Sequence, residues 1–222
     1  MFPTNLTIPF GNTKPLPEIF AKDDVRYSEK LVEYFLLKYS SPGDLVFDPF
    51  VGYGTTLSVA KRFNRNAIGT EIDQNKINFL SEEFELNKEI FLDDVQDFVN
   101  KSECPNFDFL MTSPPYMSIG EKLNPFSDYT EEGDYRAYLN NIKGIFEGIK
   151  QKMKPNSYLV IEVSNLKYNG IVTTLAWDIG NVLSKIFLFK GEVIINWESE
   201  TKENGNYGYG YDHSYCLVFL RS

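Results

Sequence analysis

Leu45-Val46-Phe47-Asp48-Pro49-Phe50-Val51-Gly52-Tyr53-Gly54-Thr55-Thr56 is the stretch on which the fold reading turns. Leu45 to Phe47 form a short apolar run, and a helical pattern occupies Thr56 to Phe63. Between them Gly52 and Gly54 fall where the chain must reverse sharply, and glycine alone takes such a turn without steric cost. Strand, glycine turn and helix open a βαβ unit. The turn alone suits a phosphate, a dinucleotide or a plain tight connection equally well.

The same rhythm continues on the C-terminal side. Strand Ala67 to Thr70, helix Asn75 to Phe84 and strand Ile90 to Leu92 follow in order, then strand Phe107 to Met111. A polar loop, Ser118 to Gly133, leads into a long helix whose apolar face is Tyr135, Tyr138, Leu139, Ile142, Phe146 and Ile149. Strand Tyr158 to Val163 and helix Leu175 to Ile186 come next. Val193 to Trp197 and Tyr215 to Leu220 have no helix between them and read as an antiparallel hairpin, with 204–211 as its loop. Before residue 45, an irregular arm precedes a helix that Ser28 caps and Val32, Phe35, Leu36 and Tyr39 make amphipathic. The expectation is an α/β fold with a mostly parallel seven-stranded sheet ending in an antiparallel hairpin. Residues 1–222 are expected to form one domain: 1–44 an N-terminal arm and helix, 45–222 the α/β core.

Composition narrows the function classes. Of 222 residues 42% are hydrophobic and 24% charged, which is ordinary globular usage. No apolar run approaches the roughly 20 residues that span a bilayer, and no signal segment opens the chain, so a cytoplasmic protein without membrane contact is expected. Cys104 and Cys216 are far apart without metal-ligand spacing, which argues for reduced thiols and no metal. The net charge of −9 opposes a protein that grips many phosphates by itself.

Three strand ends carry candidate chemistry. Gly69-Thr70-Glu71 places a carboxylate about 20 residues beyond the glycine turn, where it accepts ribose hydroxyls in nucleoside-binding folds. Leu92-Asp93-Asp94 sets acceptors at the same edge, in reach of an adenine amino group. As caps of the next helices these carboxylates would also be unremarkable. The fourth strand ends in Thr112-Ser113-Pro114-Pro115-Tyr116. Two prolines cannot continue a central strand, so they brace a corner that holds the Ser113 hydroxyl and a main-chain carbonyl as fixed acceptors beside the Tyr116 ring. An exocyclic amino group fits there: its lone pair is conjugated into the ring, and acceptors on its two protons help release it.

DPFVGYGTT followed by TSPPY resembles the amino-methyltransferase family of bacterial DNA modification enzymes, and the SPPY form is similar to its cytosine 4-amino branch. The likeness runs from the helix before Asp48 to the closing DHSYCLVFLRS. It implies a class I S-adenosylmethionine-dependent methyltransferase (Rossmann-like) fold, with S-adenosylmethionine as cofactor and DNA, ahead of RNA, as nucleic-acid partner. Carried over by position, it implies that Asp48, Phe50, Gly52 and Gly54 line the cofactor's methionine part and that Thr55 also binds the cofactor. Glu71 would bind the ribose, Asp94 the adenine, and Ile72 would pack on it. Ser113, Pro114, Pro115 and Tyr116 would form the catalytic corner, with Tyr116 stacking on a base flipped from the helix.

Two departures accompany the likeness. Tyr53 replaces a small residue and alters the pocket entrance. The family's sequence-reading domain has no counterpart between the motifs or after the last strand, which leaves room for a separate specificity subunit or a homodimer. Rival substrates are adenine, a base in structured RNA and a protein glutamine amide; serine at 113 favours cytosine. A non-catalytic subunit of the same fold is the rival from another class. His213 stands as a hairpin residue or a group facing the base. Tyr207, Tyr209 and Tyr211 stand as a hairpin tip or stacking faces, and Asp128 with Tyr129 as an exposed connection or a lid. Glu131, Glu132 and Asp134 give the long helix a negative start.

Overall fold

The computed structural model describes residues 3–9, 15–21, 24–84, 89–127, 129–168, 170–198 and 210–222. In chain order the elements are β1 (Asn5–Pro9), α1 (Glu18–Ala21), α2 (Glu29–Tyr39), β2 (Leu45–Asp48), α3 (Thr55–Arg62), β3 (Asn66–Glu71), α4 (Gln74–Phe84), β4 (Ile90–Leu92), α5 (Val95–Asn100), β5 (Phe107–Thr112), α6 (Tyr135–Lys152), β6 (Met153–Val163), β7 (Leu166–Tyr168), β8 (Ile171–Thr173), α7 (Leu175–Leu183), β9 (Leu188–Glu198) and β10 (His213–Leu220). The main sheet runs β1-β9-β10-β6-β5-β2-β3-β4. Only β10 is antiparallel, to β6 on one side and β9 on the other.

Seven of these strands have the expected layout, and an eighth is added. Asn5–Pro9, read from sequence as irregular, pairs in parallel with β9 from Asn5↔Ile194 to Pro9↔Glu198. Five residues at a sheet edge, with prolines at 3 and 9, give almost no local signal; pairing with β9 is what makes them a strand, and Pro9 is tolerated at an edge. The hairpin β7–β8 and the short helices α1 and α5 also went unread. Tyr207 and Tyr209 lie outside the described residues.

Alternation along each strand builds the two core layers. Phe47, Phe107 and Leu110 face Phe98, Ile142 and Phe146 beneath α5, α6 and α7. Val46, Phe109 and Met111 face Leu31, Val32, Phe35 and Leu57 beneath α2 and α3. Both faces are covered, as a parallel sheet requires. Among the described residues no helix is long and apolar enough to cross a membrane.

The strand order reverses between β2 and β5. One connection leaves β2 toward β3, the other leaves β5 toward β6, and a crevice opens above their carboxyl ends. That crevice holds the candidate site.

Candidate active site

Asp48 closes β2 and Thr112 closes β5, and the two are joined directly. Asp48 is 1% exposed; its Oδ1 accepts from Thr112 Oγ1 at 2.6 Å and from the Phe50 amide at 3.1 Å. Its Oδ2 lies 3.5 Å from the Tyr27 hydroxyl, which also bonds to Thr56 Oγ1. Burial pushes the Asp48 carboxyl up to about 6, and the Thr112 and Phe50 donors hold it from rising further. Burial, and then the Asp48 charge, push the Tyr27 phenol well above its ordinary range. This buried group therefore clamps the glycine turn to the proline corner.

A single cavity of about 1460 Å³ extends over both strand tips. On the β2–β4 side its wall includes Phe50, Gly52, Thr55, Glu71, Ile72 and Asp94. Gly52 has φ +55°, and a Cβ there would meet nothing nearer than the Phe50 carbonyl at 4.0 Å, so the turn leaves open space. Glu71 braces this turn: Oε2 accepts the Gly52 amide at 2.8 Å, and Oε1 accepts the amides of Ile72 and Asp73 at 2.9 and 3.0 Å. A carboxylate has about four acceptor sites, so Glu71 keeps one for a ligand. Ile72 is 40% exposed, an apolar side chain on the cavity wall. Asp94 caps α5 through Oδ1, 2.7 Å from the Gln96 amide, and still borders the cavity.

Asp48 and Gly54, though grouped with the cofactor residues by sequence, lie beneath the cavity rather than on its wall. Asp48 is the clamp described above. Gly54 has φ +79° at the start of α3, where a Cβ would fall 2.6 Å from Leu80 Cδ2. Glycine is required there for helix entry and for packing against α4.

Ser113, Pro114, Pro115 and Tyr116 border the cavity on the β5 side. The Tyr116 hydroxyl donates to Glu162 Oε2 at 3.1 Å and accepts the Ser164 amide at 3.0 Å; Ser113 Oγ donates to it at 3.4 Å. Glu162, on β6, is 4% exposed and borders the same cavity. Burial raises its carboxyl above the ordinary value, and the hydroxyls of Ser214, Ser113 and Tyr116 partly offset this. Ser214 Oγ itself has no partner in hydrogen-bond geometry among the described residues, so it acts on Glu162 only as a nearby dipole. Sequence reasoning missed Glu162. The available signal was a lone carboxylate at an inward position of the apolar strand Tyr158 to Val163.

The mouth is shaped by aromatic residues. Tyr53 packs on Phe20 of α1 at 5.5 Å between ring centroids and on Phe79 of α4 at 6.0 Å, so it fastens the N-terminal segment over the cofactor end. Lys76 Nζ lies 5.9 Å from the Tyr53 ring and 3.9 Å from Glu71 Oε1. Phe126, in the loop after the corner, packs on Phe50 at 5.9 Å. Tyr129 borders the cavity, and its hydroxyl reaches the Tyr116 carbonyl at 3.5 Å; Asp128 lies outside the described residues. His213 is not on the wall: its ring nitrogens meet Asp212 Oδ1 at 3.0 Å and the Tyr215 hydroxyl at 3.2 Å. Tyr211 lies edge-on to the His213 ring at 5.5 Å. Asp134 caps α6 from Oδ1, 2.8 Å from the Ala137 amide.

Residues 17–83 match the family model described as DNA methylase (N6_N4_Mtase). The orphan methyltransferase M.BamHII of Bacillus amyloliquefaciens is 42% identical over 76 residues, 34% of this chain and 29% of that protein. The alignment thus spans less than a third of that relative's length. A SAM dependent methyltransferase from Archaeoglobus fulgidus superposes with a TM-score of 0.57 at 17% identity, covering 91% of this chain and 98% of that one. TrmN from Thermus thermophilus superposes at 0.61 with 14% identity, covering 87% and 49%. The fold is that of the class I methyltransferases.

Proposed function

We propose that the chain transfers a methyl group from S-adenosylmethionine to the exocyclic amino nitrogen of cytosine in DNA, a reading supported by the match of residues 17–83 to the DNA methylase family model and by the likeness to M.BamHII. Residues 1–222 act as one catalytic domain on this reading, in the cytoplasm. The supporting observation is that the Gly52 turn and the Ser113–Tyr116 corner open on one cavity of about 1460 Å³. A single small ligand occupies roughly 300–1,000 Å³, so this space suits a nucleoside cofactor together with a second planar group.

The residues present fit the cofactor. Glu71, Asp73, Asp93, Asp94, Glu121 and Glu162 border the cavity against Arg26, Lys76 and Lys167, a balance that favours a net cation. Glu71 keeps an acceptor for a ribose hydroxyl, Ile72 offers an apolar face to a purine, and Gly52 leaves the backbone approachable. Phe50 and Thr55 complete the wall at the glycine turn, while Asp48 and Gly54 serve the site from beneath. Bound S-adenosylmethionine supplies an electrophilic sulfonium methyl carbon.

The corner then orients the nucleophile. Ser113 Oγ and a main-chain carbonyl accept the two amino protons, Pro114 and Pro115 keep those acceptors rigid, and Tyr116 fixes the base plane beside them. Catalysis is mainly positioning and stabilisation of developing positive charge. Specificity for a DNA site is assigned to a separate subunit or a second copy of the chain.

Incubating the protein with labelled cofactor and unmethylated DNA, total RNA or protein, then resolving the nucleosides by mass spectrometry, tests the reading. Label is expected in N4-methylcytosine, and Ser113→Ala is expected to lower it roughly 10²-fold. Label at the adenine amino group would overturn the cytosine assignment alone. Label on cytosine carbon 5, or none in any substrate despite cofactor binding, would overturn the whole.

A further inference from the structure

We propose that Glu162 is the positioning residue of the proline corner, acting through Tyr116 and Ser113: it draws the Ser113 hydroxyl proton away from the cavity and receives the proton that the substrate amino group sheds. This rests on the amino-transfer reading above.

The argument begins with a count of donors and acceptors. A phenol oxygen has one proton and two lone pairs. Tyr116 spends its proton on Glu162 Oε2 at 3.1 Å and receives the Ser164 amide at 3.0 Å and the Ser113 hydroxyl at 3.4 Å. With its proton directed into this chain, Ser113 presents lone pairs to the cavity it borders. An amino group needs acceptors; a hydroxyl pointing its proton outward would repel it. Glu162 ends the chain, and without that terminal acceptor nothing would fix the direction of the two hydroxyls.

The surroundings of Glu162 leave it the proton acceptor. Ser113 and Tyr116 face it from the corner after β5, Ser214 and Cys216 from β10, and Tyr27 from the N-terminal segment. Burial pushes the Cys216 thiol and the Tyr27 phenol up, so both stay neutral at working pH. No ion pair to Glu162 occurs among the described residues. Burial raises the Glu162 carboxyl, so it is a stronger base than an exposed glutamate.

The step balances. Once alkylated, the amino nitrogen carries a positive charge; its N–H bond breaks, the electron pair returns to nitrogen, and the proton passes to Ser113 Oγ. The Ser113 proton moves to the Tyr116 oxygen, and the Tyr116 proton to Glu162 Oε2. A cation and a carboxylate become two neutral groups, a favourable exchange in a buried site.

Glu162→Gln keeps an acceptor for Tyr116 but takes up no proton. In wild type, kcat should rise with pH as Glu162 ionises. The variant should lose roughly 10²-fold in kcat with KM changed less than about threefold, and its acid limb should flatten. Tyr116→Phe in the Glu162→Gln background should cost little more. Wild-type kcat in the variant, or a reduced kcat with the acid limb intact, overturns the proposal, since a mere strut would leave the profile's shape unchanged. A second measurement needs no activity: carbon-13 carboxyl NMR, with Glu162→Gln assigning the resonance. Its midpoint should lie above the ordinary glutamate value and move higher in Ser113→Ala, which removes the hydroxyl that donates to Tyr116 and so weakens the chain of donors ending on the carboxylate. No shift in Ser113→Ala overturns the link. Absence of methyl transfer by wild type would defeat the proposed function while the NMR result still decides the link.

Discussion

Asp48 is the residue most at odds with its sequence reading. Motif logic puts it against the cofactor, whereas its side chain lies under the cavity and joins β2 to β5 through Thr112. A buried carboxylate raised to about 6 carries a sign for stability. The folded state holds the proton more tightly than the unfolded chain, so the contribution is complete below about pH 4 and is lost as pH climbs through 6. At 1.36 kcal/mol per unit this amounts to roughly 3 kcal/mol by neutral pH. Asp48→Asn keeps the Oδ1 acceptor for Thr112 and Phe50 without the charge. In urea titrations the stability gap between variant and wild type should therefore shift in the variant's favour by about 2 kcal/mol between pH 4.5 and 7.5; an equal gap at both pH values would refute the account. Isothermal titration with S-adenosylmethionine should show Kd within about threefold of wild type. The types and spacing of the cavity residues were visible in the sequence; which carboxylates face a ligand and which serve as clamps was not. Asp48, Glu71 and Asp94 all end strands or begin turns, and only the neighbouring donors distinguish a clamp, a brace and a cap.

The glycine turn and α1 show how local elements set the pocket. Gly52 and Gly54 both have positive φ, but only at Gly54 does a Cβ meet a buried neighbour, Leu80. Gly54→Ala should cost about 3 kcal/mol, combining left-handed strain with displacement of Leu80. Gly52→Ala should cost about 1 kcal/mol and act instead on cofactor affinity. Chemical denaturation with binding titration separates the two, and equal stability losses would be the contrary result. Tyr53 and Phe20 form the second element-level contact. Aromatic pairs contribute about 0.5–1.5 kcal/mol beyond their buried area, so Tyr53→Ala should speed stopped-flow cofactor release about fivefold with Tm nearly unchanged; an unaltered release rate would show that α1 does not retain the ligand. The central strands were legible because apolar runs of three to six residues lie between turn residues and amphipathic helices. β1 and the β7–β8 hairpin were not, because each is short and acquires its pairing from a distant or irregular partner. Helix α5 was within reach: Asp94 caps it, and Val95, Phe98 and Val99 give it one buried face.

On the proposed function, charge governs how the molecule would meet DNA. A chain of net charge −9 repels a polyanion, and among the described residues the cations bordering the cavity are Arg26, Lys76 and Lys167. Arg26 is engaged with Asp24 and Lys76 lies near Glu71 and Asp73, so few are placed to neutralise phosphates. Each phosphate contact contributes about −0.9 to the slope of log K against log salt. The isolated chain should therefore bind duplex DNA with a slope no steeper than about −3, in the non-specific range of roughly 10⁻⁴–10⁻⁶ M. Weak phosphate contacts also leave little energy to extract a base from the duplex, which costs a few kcal/mol and least at a mismatch or in a single strand. Methylation of a mismatched or single-stranded cytosine should accordingly exceed that of the paired base by about tenfold or more in kcat/KM. Anisotropy titrations at 50 and 200 mM salt, with parallel rate measurements on paired and unpaired targets, check both expectations. A slope near −6, or equal rates on the two targets, would show that the chain itself supplies the DNA grip that the proposed function gives to a specificity subunit or a second copy.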